Sequence, residues 1–126
     1  MENIEDKKSG FRVLNIMLAE SHFTRIGNVD FQDSKRKVSF ETGVGGRDNK
    51  INVRLKTIVV NMKDGSEQYR IEVSMIGVFE RNGNSRILTD EEFGRVNGAA
   101  IIFPFVREHI ANIALKAGLG SIILPP

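Results

Sequence analysis

The hydropathy period of this chain changes once, near residue 89, and that change limits the fold more than any other feature. Before it, apolar side chains recur every second residue; after it, they recur at three- and four-residue spacing. Four strands followed by a helix is the order of an α+β domain built on an antiparallel sheet.

The alternation begins at Phe11, with Arg12, Leu14, Ile16 and Leu18 on one face and Phe11, Val13 and Met17 on the other. Both faces are largely apolar, so this strand is either buried on two sides or covered on one of them by another subunit. The first ten residues are polar and are expected to be loose, leaving 11–126 as one domain. Ser21 to Lys37 reads as irregular, with isolated Phe23, Ile26, Val29 and Phe31, and with Lys35-Arg36-Lys37 as a solvated loop. Val38, Phe40, Thr42 and Val44 then alternate with polar residues up to a Gly45-Gly46-Arg47-Asp48-Asn49 connection. A third strand runs from about Lys50 to Met62 and becomes apolar on both sides toward its end. Asp64-Gly65 marks a hairpin, Tyr69 to Phe79 forms the fourth strand, and Asn82-Gly83 marks the next turn.

Thr89 is placed as an N-cap with Glu92 closing a capping box, and Asn97-Gly98 is expected to break the chain. Ala99 to Ala117 reads as a helix with an apolar stripe of Ile102, Val106, Ile110, Ile113 and Ala117, widened by Phe105 and Ala114. Pro104 is compatible with a first helical turn, and Gly118 suits the position just past the helix end.

Composition narrows the function classes. The chain has 126 residues and no Cys, which excludes disulfides, a thiol nucleophile and thiolate metal sites, and its two His are too few for a histidine-rich metal site. A net charge of +2 is a weak electrostatic footprint for nucleic acid, and Lys35-Arg36-Lys37 lacks an accompanying aromatic pattern. No uninterrupted apolar run approaches the roughly 20 residues of a membrane span, and the N-terminus lacks an apolar signal core. These features lead us to expect a cytoplasmic protein. No catalytic set is recognisable: Glu20-Ser21-His22 are neighbours in sequence, whereas triads unite distant segments. Gly43-Val44-Gly45-Gly46 lacks the Lys-Ser/Thr of a phosphate loop and reads as a turn between strands. No enzyme activity, cofactor or metal is expected.

Ile102-Phe103-Pro104-Phe105-Val106-Arg107-Glu108, followed by Gly118-Leu119 and Ile122-Ile123-Leu124-Pro125-Pro126, resembles the SecB family of export chaperones. Glu72-Val73 with Gly77-Val78-Phe79 is similar to a strand motif of that family, and Phe11 to Phe23 to its first strand. The resemblance implies a four-stranded antiparallel sheet crossed by one long helix and assembled as a dimer of dimers. It also implies an ATP-independent holdase that keeps unfolded precursor polypeptides in apolar grooves for a SecA-type motor. On that basis Val38, Phe40, Val44, Leu119, Ile122 and Leu124 are candidates for client binding, though each has a plain core reading as well. Glu20 and Glu72 match positions that dock the motor, whereas Thr24 and Arg70 replace a carboxylate and an apolar residue there. Leu14, Ile16, Leu18, Phe105, Val106, His109, Ile110 and Ile113 are candidates for the homotetramer interface. A chaperone dedicated to one antitoxin or another single client fits the same scaffold. The rival of another class is a small α+β enzyme or ligand-binding domain.

Overall fold

A computed structural model describes residues 10–81 and 89–120, together with Ile122 and Leu124. Its four strands are β1 (Phe11–Arg25), β2 (Lys35–Arg47), β3 (Lys50–Lys63) and β4 (Ser66–Arg81). They form one antiparallel sheet in the order β1-β4-β3-β2, a three-strand meander with β1 added beside β4. The helical part comprises α1 (Asp90–Glu92), a π-helical turn (Phe93–Gly98) and α2 (Ala99–Lys116). This matches the expected α+β order, with one helix following the sheet.

The hairpin residues behave as their chemistry requires. Asp64 and Gly65 both take positive φ, 52° and 80°, which the tight turn between β3 and β4 demands. The turn between β2 and β3 is shorter than expected, only Asp48-Asn49, and Gly43 to Gly46 lie within β2 rather than in a loop. Lys35 to Lys37 likewise open β2 instead of preceding it.

β1 differs most from its sequence reading. It runs on through Ser21 to Arg25, and register shifts at Val13/Asn15 and Leu18/Glu20 insert one extra residue each, Leu14 and Ala19. A bulge inverts the alternation that follows it. Phe11, Val13, Ile16, Leu18, Ser21 and Phe23 therefore oppose β4 residues whose side chains face α2, while Met17 and Glu20 belong to the outer face.

The core lies between the sheet and α2. Ile51, Val53, Leu55 and Val59 of β3 and Ile71, Val73, Met75 and Phe79 of β4 meet Ile102, Val106, Ile110 and Ala114. Each such side chain other than Ala114 contributes about 1.5–3 kcal/mol on burial. Phe93 stacks on Phe11 at 3.8 Å and meets Phe79 edge-on at 5.0 Å, joining the helical run to the start of β1.

Thr89 caps this run as expected, its Oγ1 accepting from the Glu92 N–H at 3.1 Å. Asn97-Gly98 does not break it. Gly94 and Gly98 sit so close to the sheet that a Cβ would fall 2.5 Å from Val44 Cγ2 and 2.9 Å from Val53 Cγ2. The two glycines are thus a contact surface, and the π-helical turn carries the chain through it. Pro104 consequently lies well inside the helical run, on its exposed side, where water can satisfy the carbonyl its ring leaves free.

Gly118, at φ 71°, terminates α2, with the Leu119 N–H bonding Ala114 O at 2.9 Å and its own N–H bonding Leu115 O at 3.2 Å. That pair of bonds is the glycine-dependent C-terminal motif the sequence suggested. The helical run Asp90–Lys116 is, by length and composition, apolar enough to cross a bilayer, a property that counting uninterrupted apolar residues had missed. In this fold its Ile102, Val106, Ile110 and Ala114 side is the packing surface for the sheet. The Asn82-Gly83 turn lies outside the described residues, as do positions 1–9 of the N-terminal segment.

Candidate functional site

β2 is an edge strand, and its α2-facing side chains lie in one row. Arg36, Val38, Phe40, Thr42 and Val44 oppose Asn61, Val59, Thr57, Leu55 and Val53 of β3, all buried beneath α2. Val38 and Val44 are half-buried, and Phe40 is 50% exposed. Among the described residues nothing covers Phe40 fully, and its one ring neighbour is Phe103 of α2, edge-on at 5.7 Å. The Val44 end is closed by Gly94 and by Arg95, whose Nη1 donates to Thr42 O at 3.0 Å.

At its other end the row leads into a pocket of about 240 Å³ lined by Phe31, Ser34, Arg36, Asn61, Tyr69, Leu119 and Ile122. Phe31, 54% exposed, stands on the β1–β2 connection, which a polar network fixes to the sheet. Gln68 accepts from the Asp30 N–H at 2.7 Å and donates to Asp30 O at 2.9 Å and to Asn61 Oδ1 at 2.6 Å. Lys63 adds an ion pair to Asp30, holding that carboxyl below the usual carboxylate range. Burial pushes the Tyr69 phenol up, so the neutral ring lines the pocket. Together these residues form a trough along the sheet edge, apolar at Val38, Phe40 and Val44 and more polar where Ser34, Arg36 and Asn61 enter it, with a hydrogen-bonded loop at one end.

The expected client-binding residues divide accordingly. Val38, Phe40 and Val44 line the trough; Leu119 and Ile122 border the pocket at its end but are themselves buried in the core. Leu124 does not; it is 1% exposed within the core, so its plain core reading is what the structure displays. Phe31, Tyr69 and Phe103 were missed by sequence reasoning. For Phe31 the available signal was a bare aromatic ring in a polar stretch.

Glu20 and Glu72 both face away from α2, and both are already engaged. Arg54 and His22 hold Glu20, with Arg54 the stronger cause of a carboxyl pKa lowered below its usual range. Arg70 spans Glu67 and Glu72, donating at 2.8 Å and 3.0 Å. Ser21 and His22 face opposite sides: Ser21 Oγ is 2.9 Å from His109 Nε2 on α2, and His22 bonds Glu20 at 3.2 Å. Among the described residues Glu20, Ser21 and His22 therefore do not come together as a triad.

Among the expected interface residues, Leu14, Leu18 and Phe105 are exposed, and Ile16, His109 and Ile113 are half-buried. Val106 and Ile110 are corrected by the structure. Both are fully buried against this chain's own sheet, because the broad helix stripe is needed to cover β3 and β4. Among the described residues no cluster of His, Asp or Glu is arranged to hold a metal ion.

A four-stranded antiparallel sheet packed under one long helix, with an aromatic-lined edge left half exposed, is the frame the sequence resemblance implied. The chain belongs to the SecB family of chaperones: it matches the family described as preprotein translocase subunit SecB over residues 27–126. It is 26% identical over 134 aligned residues to the protein-export protein SecB of Alcanivorax borkumensis, covering 97% of this chain and 82% of that one. Among solved structures it is similar to a Mycobacterium tuberculosis SecB-like chaperone in complex with a ChAD peptide from an antitoxin. There the TM-score is 0.82 at 12% identity, with 97% of this chain and 94% of that one covered. A protein of unknown function from Streptococcus agalactiae also shares the fold, with a TM-score of 0.54 at 14% identity over 92% of this chain and 97% of that one.

Proposed function

We propose that the protein is an ATP-independent holdase that captures non-native polypeptide in the trough formed by Val38, Phe40, Val44 and Phe103 and continued by the Phe31–Tyr69 pocket. The observation that carries this reading is Phe40, a large aromatic side chain left half in water beside a second ring, on a strand paired with β3 along its whole length. Burying a client side chain of Leu or Phe size is worth about 1.5–3 kcal/mol, so a few contacts hold an extended segment without a chemical fuel. Binding to the unfolded client alone shifts its equilibrium away from aggregation.

The exposed Leu14, Leu18 and Phe105 support self-association, and we propose a homotetramer acting in the cytoplasm. A client range restricted to one antitoxin-like protein is the second reading, favoured by the likeness to the chaperone solved with an antitoxin peptide. Docking of a SecA-type motor through Glu20 and Glu72 finds less support, since both carboxylates are paired with arginines. The test is suppression of aggregation of several unrelated denatured proteins by the wild type and by Phe40→Asp. Broad suppression lost in a folded Phe40→Asp variant supports the holdase; suppression of a single client supports the narrower reading. A Phe40→Asp variant that is folded and fully active overturns the trough as the site.

A further inference from the structure

The sheet face turned away from α2 carries a second apolar depression with a different electrostatic character. Ile58, Val60 and Met62 alternate along β3 with the buried residues and form its floor, each half-buried. Lys37 and Ser39 of β2 and Glu67 and Arg70 of β4 complete a cavity of about 410 Å³. It lies back to back with the client trough. Arg36, Val38 and Phe40 point one way from β2, and Lys37 and Ser39 point the other.

The two carboxylates beside this depression, Glu67 and Glu72, are both engaged by the single guanidinium of Arg70. Arg70 holds Glu67 through both carboxylate oxygens, at 2.8 and 3.3 Å, and Glu72 at 3.0 Å. Glu41, the one carboxylate of β2, is on this face and stands opposite Lys56 further along the strand. Lys35 and Lys37, opposite Met62 and Val60, form no ion pair among the described residues. An apolar floor flanked by two exposed ammonium groups that have no ion-pair partner among the described residues is complementary to a chain that offers an apolar side chain and a carboxylate together.

We propose that this outer depression docks an extended acidic peptide segment of a partner protein, seating an apolar side chain on Ile58, Val60 and Met62 and a carboxylate at Lys37. A polynucleotide fits less well. Single-stranded nucleic acid gains its affinity from stacking on aromatic rings, and the floor here is wholly aliphatic and thioether. The site is separate from the trough, so a partner bound there leaves the client surface open.

The test uses the full chain and fluorescence anisotropy with a short labelled peptide of glutamate, leucine and serine. Matched controls replace glutamate by lysine or leucine by serine, and a labelled oligodeoxythymidylate serves as the nucleic-acid probe. The expected result, in the wild type and in Phe40→Asp alike, is tighter binding of the acidic, leucine-containing peptide than of any control, weakening as salt is raised. Lys37→Glu should reduce that affinity about five- to tenfold, and Phe40→Asp should leave it unchanged. Val60→Ser, a mild change on the outer face, should also weaken it, with methyl shifts at Ile58 and Met62 in the wild type marking the place. Absence of binding, equal binding of the lysine peptide or the oligonucleotide, indifference to Lys37→Glu, or loss on Phe40→Asp would each overturn the proposal.

Discussion

Phe103 of α2 meets Phe40 of β2 edge-on, with 5.7 Å between ring centroids and 80° between planes. An aromatic pair in this geometry adds about 0.5–1.5 kcal/mol beyond its burial. Because Phe40 remains half in water, Phe103 acts as the wall that holds its ring in the trough. Phe103→Ala should therefore weaken client binding, and should cost about 1–3 kcal/mol of stability, below the usual loss for a fully buried ring. Urea unfolding and client titration on the same sample measure the two effects; unchanged client affinity would remove Phe103 from the site.

Gly94 sets how closely the helical run approaches β2. A Cβ there would lie 2.5 and 2.9 Å from the two methyls of Val44, whereas one at Gly45 would meet nothing within 4 Å. Gly94→Ala is expected to destabilise the fold by about 1–3 kcal/mol through overpacking. Gly45→Ala should be nearly silent, and Val44→Ala combined with Gly94→Ala should recover part of the loss. The midpoints of chemical denaturation of the four proteins decide this.

Gln68 is buried and bonds both the backbone of Asp30 and the side chain of Asn61. Gln68→Leu removes the partner of the part-buried Asp30 backbone and of the buried Asn61 Oδ1, at about 1–3 kcal/mol. The loop bearing Phe31 loses its main anchor at the same time. Amide exchange at Asp30 and Gln32 should accelerate more than exchange in β3, and the pocket should lose affinity for an aromatic side chain.

Glu67 is held below the usual carboxylate range by its hydrogen bonds from Arg70. A carboxyl whose folded pKa is depressed contributes stability above its unfolded value, near 4.3 for glutamate, and loses it as pH falls through the folded value. Asp30 and Glu20 shift in the same direction, through Lys63 and Arg54. Below about pH 5 the thermal midpoint should fall, and more steeply in the wild type than in Arg70→Gln, which has already lost the Glu67 contribution. A carbon-detected titration should show the Glu67 midpoint rising in that variant.

Where side chains alternated cleanly, the fold was legible. β3, β4 and their Asp64-Gly65 turn, the Thr89 cap and the Gly118 stop all follow from local chemistry. The failures share a cause: contacts distant in sequence. Ser21 to Arg25 carries a polar pattern, yet it pairs with Tyr69 to Val73 and so extends β1. Asn97-Gly98 is a breaker in isolation, and only the approach of Val53 explains a glycine inside a helical run there. Half of the trough was visible as the apolar row of β2. Phe31 and Tyr69 came together only because Gln68 pins an irregular segment across the strand ends.

The two extra residues in β1 make side-chain phase a locally editable property of that strand. Leu14 flips the alternation and Ala19 flips it back, so Phe11 and Phe23 stay in step while only the stretch from Asn15 to Leu18 is turned over. A gapless comparison with a bulge-free strand would keep both ends aligned and swap inside for outside only where Ile16 and Leu18 lie. The wall beside α2 on that edge can thus be exchanged by moving a kink, with every other residue of the strand left as it is.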